Sequence, residues 1–123
     1  MNDQTLAKIQ TLAPVVADSA YRFIRDARLD GAPVVVVEGY RSQTRQDALY
    51  EQGRTRPGPI VTGTRNSRHT QRRAFDVAFI VGGRLTYDVP QTWWQYLGAL
   101  APRYGLRWGP DIGIRGDYGH FEA

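Results

Sequence analysis

The 123 residues predict an α+β domain. Three observations carry that prediction. Segments with helical spacing and segments with strand composition follow one another without the regular βα alternation of a doubly wound sheet. A "GG" pair at 82–83 joins two strand-like runs as a hairpin, so those neighbours run antiparallel. No repeat, low-complexity tract or linker divides the chain, and residues 1–123 read as a single domain of ordinary size with no separate binding module.

Apolar residues at Leu6, Ile9, Leu12, Val16, Ala20, Phe23 and Ala27 recur at three- and four-residue intervals, predicting an amphipathic helix that ends near "LDG". Pro14 lacks the N–H of a helix interior, so the helix starts or kinks there. "APVVVVEGY" (32–40) is short and β-branched, the composition of a buried strand. Ser42 is placed to cap a helix through "QTRQDALYEQG", with Gly53 as its stop. "RTRPGPIVTGTRNS" (54–67) has no helical period and reads as a long loop, a feature that in compact domains is often functional. "AFDVAFIV" (74–81) predicts a strand and "RLTYD" (84–88) its hairpin partner. Pro90 fits the first turn of a helix through "QTWWQYLGALA", ended by Pro102 and Gly105. "LRWG" (106–109) and "YGHFEA" (118–123) predict two further short strands.

Composition narrows the function. A hydrophobic content of 41% with three Trp, seven Tyr and four Phe belongs to a globular protein. The longest apolar run is "APVVVV", far short of the roughly 18 residues of a membrane helix. The first residues, "MNDQTLAKIQ", have neither the basic start nor the apolar stretch of a secretion signal, so the expected site of synthesis and residence is the cytoplasm. The absence of Cys removes disulfides, thiolate catalysis and sulfur-based zinc sites; any metal is left to His, Asp or Glu. The net charge is +4, every basic residue except Lys8 is Arg, and six arginines lie between 54 and 73. This balance favours an anionic partner such as nucleic acid, lipid headgroups or an acidic polymer, although a solvated loop has the same composition.

Asp76 lies inside an apolar strand, where a carboxylate is costly unless paired or metal-bound. The chain's two histidines are both within reach: His69 just before that strand, and His120 on the last one. Two imidazoles and a carboxylate suit Zn²⁺ and leave a fourth position open, the ligand count of a catalytic site. Asp117, three residues before His120, is the candidate general base. Spacing alone leaves other readings open. A histidine is more often a surface or satisfied core residue, and "GDYG" (116–119) is equally good turn chemistry.

"GYRS" (39–42), "LYEQGRT" (49–55) followed by "PGPIVT", Ser67 and His69 followed by "AFD" (74–76), and "DYGHFE" (117–122) together resemble the zinc peptidases that cleave peptidoglycan stem peptides. These are L-alanyl-D-glutamate endopeptidases, many of them phage endolysins, related to D-alanyl-D-alanine carboxypeptidases. The resemblance spans roughly residues 35–122, and it implies a small antiparallel sheet with helices packed against it, of the Hedgehog and D,D-peptidase type. It also implies that His69, Asp76 and His120 hold Zn²⁺, that Asp117 is the catalytic carboxylate, and that Arg41 binds substrate and steadies the oxyanion. Ser67 is then a loop-shaping residue behind the ligands. Trp108 and Tyr118 are candidates for the substrate groove. The sequence departs from the family at Arg72, where Gly is usual, so a positive φ there would be strained.

The implied function is a zinc-dependent endopeptidase cutting the stem peptide, expected at the L-Ala–D-Glu bond, in the manner of a phage endolysin that waits in the cytoplasm for a membrane pore. Its expected partners are the stem peptide and the anionic cell envelope, with no nucleic acid, and its expected state is a monomer. A D-alanyl-D-alanine carboxypeptidase or dipeptidase would use the same zinc residues. An Arg-rich nucleic-acid-binding module accounts for the basic loop and leaves His69, Asp76, Asp117 and His120 unexplained.

Overall fold

The computed structural model describes residue 1 and residues 3–123. The first predicted helix is two: α1 (Gln4–Ile9) and α2 (Pro14–Leu29), with Pro14 in the first turn of the second. Apolar spacing runs unbroken across the corner because Ile9, Leu12 and Val16 all reach the same core. Leu6 is the exception and faces outward. Thr5 is buried in α1, its hydroxyl accepting from the Val36 N–H and from Arg28 at 3.0 Å each, which ties the helix to the sheet.

The remaining elements follow the expected order: β1 (Val34–Glu38), α3 (Gln43–Glu51), β2 (Ala74–Val81), β3 (Arg84–Thr86), α4 (Gln91–Leu100), β4 (Arg107–Trp108) and β5 (His120–Glu122). Ser42 caps α3 by accepting from the Arg45 N–H at 3.1 Å. Gly82 and Gly83 both take positive φ, 59° and 77°, as a tight turn between β2 and β3 requires. Short 3₁₀ turns at Arg68–Gln71, Ala101–Tyr104 and Gly109–Ile112 complete the path.

Every strand pair is antiparallel, in the order β1-β2-β5-β4 with β3 folded back on β2. Phe75, Val77 and Phe79 of β2 join Val34, Val36 and Phe121 on one face, packed on Phe23 and Ile24 of α2 and Leu97 of α4. The Phe23 ring lies 5.0 Å from Phe121 and 6.3 Å from Phe75, centroid to centroid. Each such ring contributes about 1.5–3 kcal/mol by leaving water. The opposite face of the same strands carries Asp76 and its cross-strand partners.

Candidate metal centre

Register places the charged residues. Asp76 pairs with Glu38 on β1 and with His120 on β5, so the three side chains rise from adjacent strands on one face. A bulge between Val36 and Glu38 makes this possible for Glu38: two residues of β1 oppose one of β2, which turns Glu38 away from the core side that Val36 faces. Alternation along β5 puts Phe121 into the core and both His120 and Glu122 on the site face. His69 arrives on the 3₁₀ turn before β2, whose start Ser67 caps by accepting from the His69 N–H at 3.1 Å.

The protonation of the two imidazoles follows from their outer partners. His69 Nδ1 lies 2.8 Å from the Gly39 carbonyl, which only accepts, so Nδ1 carries the proton and Nε2 is left facing Asp76 Oδ1 at 3.2 Å. His120 Nε2 lies 2.9 Å from Glu122 Oε1, so Nδ1 faces Asp76 Oδ1 at 3.3 Å. Three electron-pair donors thus converge with no hydrogen-bond donor of their own between them, all within 4.8 Å of one another. A proton on either ring relieves this partly; a divalent cation satisfies all three. The donor set fits a metal of the zinc type, with nitrogen and oxygen ligands and room for a further one.

The electrostatics agree. Burial acts to raise the Asp76 carboxyl, but the hydrogen bonds that His120 and His69 donate once a ring takes up its second proton, together with the charge that proton brings, outweigh it and hold the group well below the usual carboxylate range. Burial alone would lower His120; Asp76 and Glu122 reverse the sign and raise it. Asp117 is raised, first by burial and then by the charge of Asp76. Its Oδ2 stands 3.9 Å from His120 Nδ1, outside the three-ligand cluster and beside it.

Arg41 reaches the site already engaged. Its Nε and Nη2 donate to the two oxygens of Glu38 at 2.8 and 2.7 Å, and Nη1 donates to Gln46 Oε1 at 2.7 Å. Nη2 also lies 3.8 Å from Asp76 Oδ2. One hydrogen on each terminal nitrogen is left without a close partner, and the side chain borders the groove into which the cluster opens. Burial acts to lower the guanidinium and the bonds to Glu38 raise it, so it stays charged.

The cluster opens into a groove of about 880 Å³ bordered by α3, the 60–64 loop and the 113–117 loop, with Ser67, His69, Asp76, Asp117 and His120 along it. Tyr118 lines a smaller recess of about 230 Å³ beside Asp76 and Asp117, together with Tyr87 and Trp94. Trp108 does not border either space. It pairs with Phe121 and therefore faces the core side, where its ring lies against Gly98 of α4 and its indole N–H donates to the Tyr118 carbonyl at 2.7 Å. Any β-carbon at position 98 would overlap that ring.

Sequence reasoning missed Glu38 and Gln46, and it set Glu122 on the face of His120 without giving it a role. The period-two spacing of a strand carries Glu122 to that face; nothing in the sequence announces the bulge that delivers Glu38. The arginines of 54–73 are mostly occupied. Arg54 and Arg65 stack over Tyr50 at 3.9 and 4.5 Å, Arg65 also pairs with Glu51, Arg68 with Glu122, and Arg73 donates to the Ala123 carbonyl.

Comparison with known proteins agrees with this geometry. A family profile described as D-alanyl-D-alanine carboxypeptidase matches residues 61–123. The peptidoglycan L-alanyl-D-glutamate endopeptidase CwlK of Bacillus subtilis is 35% identical, over 90% of this chain and 72% of that one. Among solved structures, the L-Ala D-Glu endopeptidase ChiX of Serratia marcescens superposes with a TM-score of 0.73 at 22% identity, over 99% of this chain and 87% of the other. The vancomycin resistance D,D-pentapeptidase VanY, solved in complex with Zn(II), gives 0.67 at 17% identity, over 90% and 71%. These two share the α+β fold, helices against a small antiparallel sheet. With half the chain inside the family profile and CwlK aligned along most of its length, this protein belongs to the D-alanyl-D-alanine carboxypeptidase family of peptidases.

Proposed function

We propose that the chain is a zinc-dependent peptidoglycan peptidase that hydrolyses the stem peptide between L-Ala and D-Glu. The observation that carries the proposal is the convergence of His69 Nε2, Asp76 Oδ1 and His120 Nδ1 at a groove, with Asp117 alongside. The choice of bond is supported by the 35% identity to CwlK.

In this reading His69, Asp76 and His120 hold the ion. When bound, Zn²⁺ polarises a carbonyl and makes a neighbouring water a better acid. Asp117 accepts the proton of the attacking water and returns it to the leaving amine; its raised pKa suits both directions of transfer. Arg41 orients Asp76 and offers its remaining hydrogens to the oxyanion side of the groove. The Gly39 carbonyl holds the His69 ring at its angle while Ser67 fixes the backbone that carries it, and Glu122 holds the His120 ring.

Digestion of purified peptidoglycan with and without a chelator, followed by mass spectrometry, tests the proposal. Chelator-sensitive release of fragments with a new N-terminal D-Glu is the expected result. Release of free D-alanine would transfer the chain to the carboxypeptidase reading, and release unaffected by metal removal would overturn the zinc mechanism. The finer role, a phage-type endolysin reaching the wall through a membrane pore, is part of the same proposal. It predicts host lysis when the protein is produced together with a pore-forming protein and none without it.

A further inference from the structure

Three arginines and three carboxylates border the groove: Arg41, Arg45 and Arg115 with Glu38, Asp76 and Asp117. Arg41 is bound bidentately by Glu38. Arg45 and Arg115 are different. Neither side chain makes an ion pair or a hydrogen bond among the described residues, although both border the groove. They come from separate elements. Arg45 stands on α3, and Arg115 lies in the loop before Asp117, between Gly113 and Gly116, both at positive φ. Leu49, Ile60, Val61 and Ile114 border the same groove and give it an apolar stretch; Ile60 and Val61 are themselves exposed, so both arginines are open to a ligand arriving from solvent.

We propose that Arg45 and Arg115 form a carboxylate-binding subsite that selects stem peptides whose D-Glu keeps a free α-carboxylate over those in which that group is amidated. The inference rests on the stem-peptide reading and adds its specificity. In an L-Ala–D-Glu linkage continued through the side-chain carboxyl, the α-carboxylate is attached to the same carbon as the scissile nitrogen. Cutting that bond therefore brings the carboxylate into the groove, close to the metal cluster. There it meets Asp76, Asp117 and Glu38, and needs cations that are not already neutralised. A guanidinium matches a carboxylate with two parallel N–H···O bonds, whereas a carboxamide presents one acceptor and no charge.

The test uses the metal-loaded protein and two synthetic peptides that differ only in carboxylate or carboxamide at the α-position of D-Glu. The expected preference in kcat/KM for the carboxylate peptide is about fivefold, the upper scale of an ion pair made by exposed arginines. Arg45→Gln and Arg115→Gln each reduce that ratio, mainly through a higher KM for the carboxylate peptide. Arg103→Gln, the same charge change away from the groove, leaves the ratio at its parent value. The preference also weakens with added salt. Equal cleavage of both peptides, or equal losses on both from the arginine variants, would overturn the subsite. Mass spectrometry of the products keeps the two proposals apart, because cleavage at another bond refutes the functional reading. In that event calorimetric binding of the two peptides to Asp117→Ala, which leaves them uncut, still decides whether Arg45 and Arg115 recognise the carboxylate.

Discussion

Arg72 has a φ of 60° and is the one non-glycine among the described residues in the left-handed region. It terminates the turn that carries His69, and the family resemblance singles out the same position as a usual Gly. The strain costs about 1–2 kcal/mol and is offset locally. The guanidinium lies 3.9 Å over the Tyr40 ring and donates to the Thr11 carbonyl at 2.8 Å. Arg72→Ala keeps the strain and loses both contacts, whereas Arg72→Gly loses the contacts and relieves the strain. Denaturant unfolding is therefore expected to find the Gly variant about 1 kcal/mol more stable than the Ala variant; the reverse order would refute the account. Asp117 is the residue whose removal separates binding from chemistry. Asp117→Ala should keep its metal, measured by equilibrium dialysis, while kcat falls by about 10²–10⁴. Near-normal turnover would end its proposed role. His69, Asp76 and His120 were legible as candidates because two histidines and one carboxylate in an apolar strand leave few combinations. The engagement of Arg41 with Glu38 and Gln46 was not, since it depends on a bulge and on a helix face meeting it.

At the scale of elements, β5 does two jobs through alternation: Phe121 anchors the core while His120 and Glu122 build the site. Glu122 is only 8% exposed at its side chain and lies 3.4 Å from both Arg68 and Arg107, so its charge is balanced from the turn before β2 and from β4. Because Arg68 adjoins His69, one carboxylate braces both imidazole-bearing segments. Glu122→Ala is expected to weaken metal binding by about 10–100-fold, and Glu122→Gln much less, since its carbonyl oxygen can still accept from His120 Nε2. Equal losses in the two variants, by competition with a chromophoric chelator, would show that packing and not the hydrogen bond matters. Cap and turn chemistry made the elements readable, as Ser42 and the Gly82–Gly83 pair show. The split of the first helix was half readable from Pro14. Trp108 misled because an aromatic near two site residues looks like groove lining, while its register opposite Phe121 sends it to the core.

For the whole molecule, the core and the site lie on opposite faces of one sheet, so the fold does not depend on the metal for its packing. Removing the metal should abolish activity yet leave a cooperative thermal transition, displaced by RT ln(1 + [metal]/Kd), about 2.7 kcal/mol at 100 times Kd. The displacement should depend on pH with a definite sign. In the metal-free protein His120 is raised above its ordinary 6.5 by Asp76 and Glu122. That contribution to stability is fully present below 6.5 and is lost as pH rises through the higher folded value. Metal binding requires the neutral ring, so its stabilisation grows over the same interval. Melting curves from about pH 6 to about pH 8.5 should therefore show the chelated protein losing stability while its separation from the zinc-loaded protein widens. Acid behaves differently: the lowered Asp76 contributes stability above its unfolded value of 3.8, lost only as pH falls toward its depressed folded one. A separation that stayed constant from neutral to mildly alkaline pH would mean that His120 does not take up a proton when the metal leaves, and would refute this account of the metal-free site.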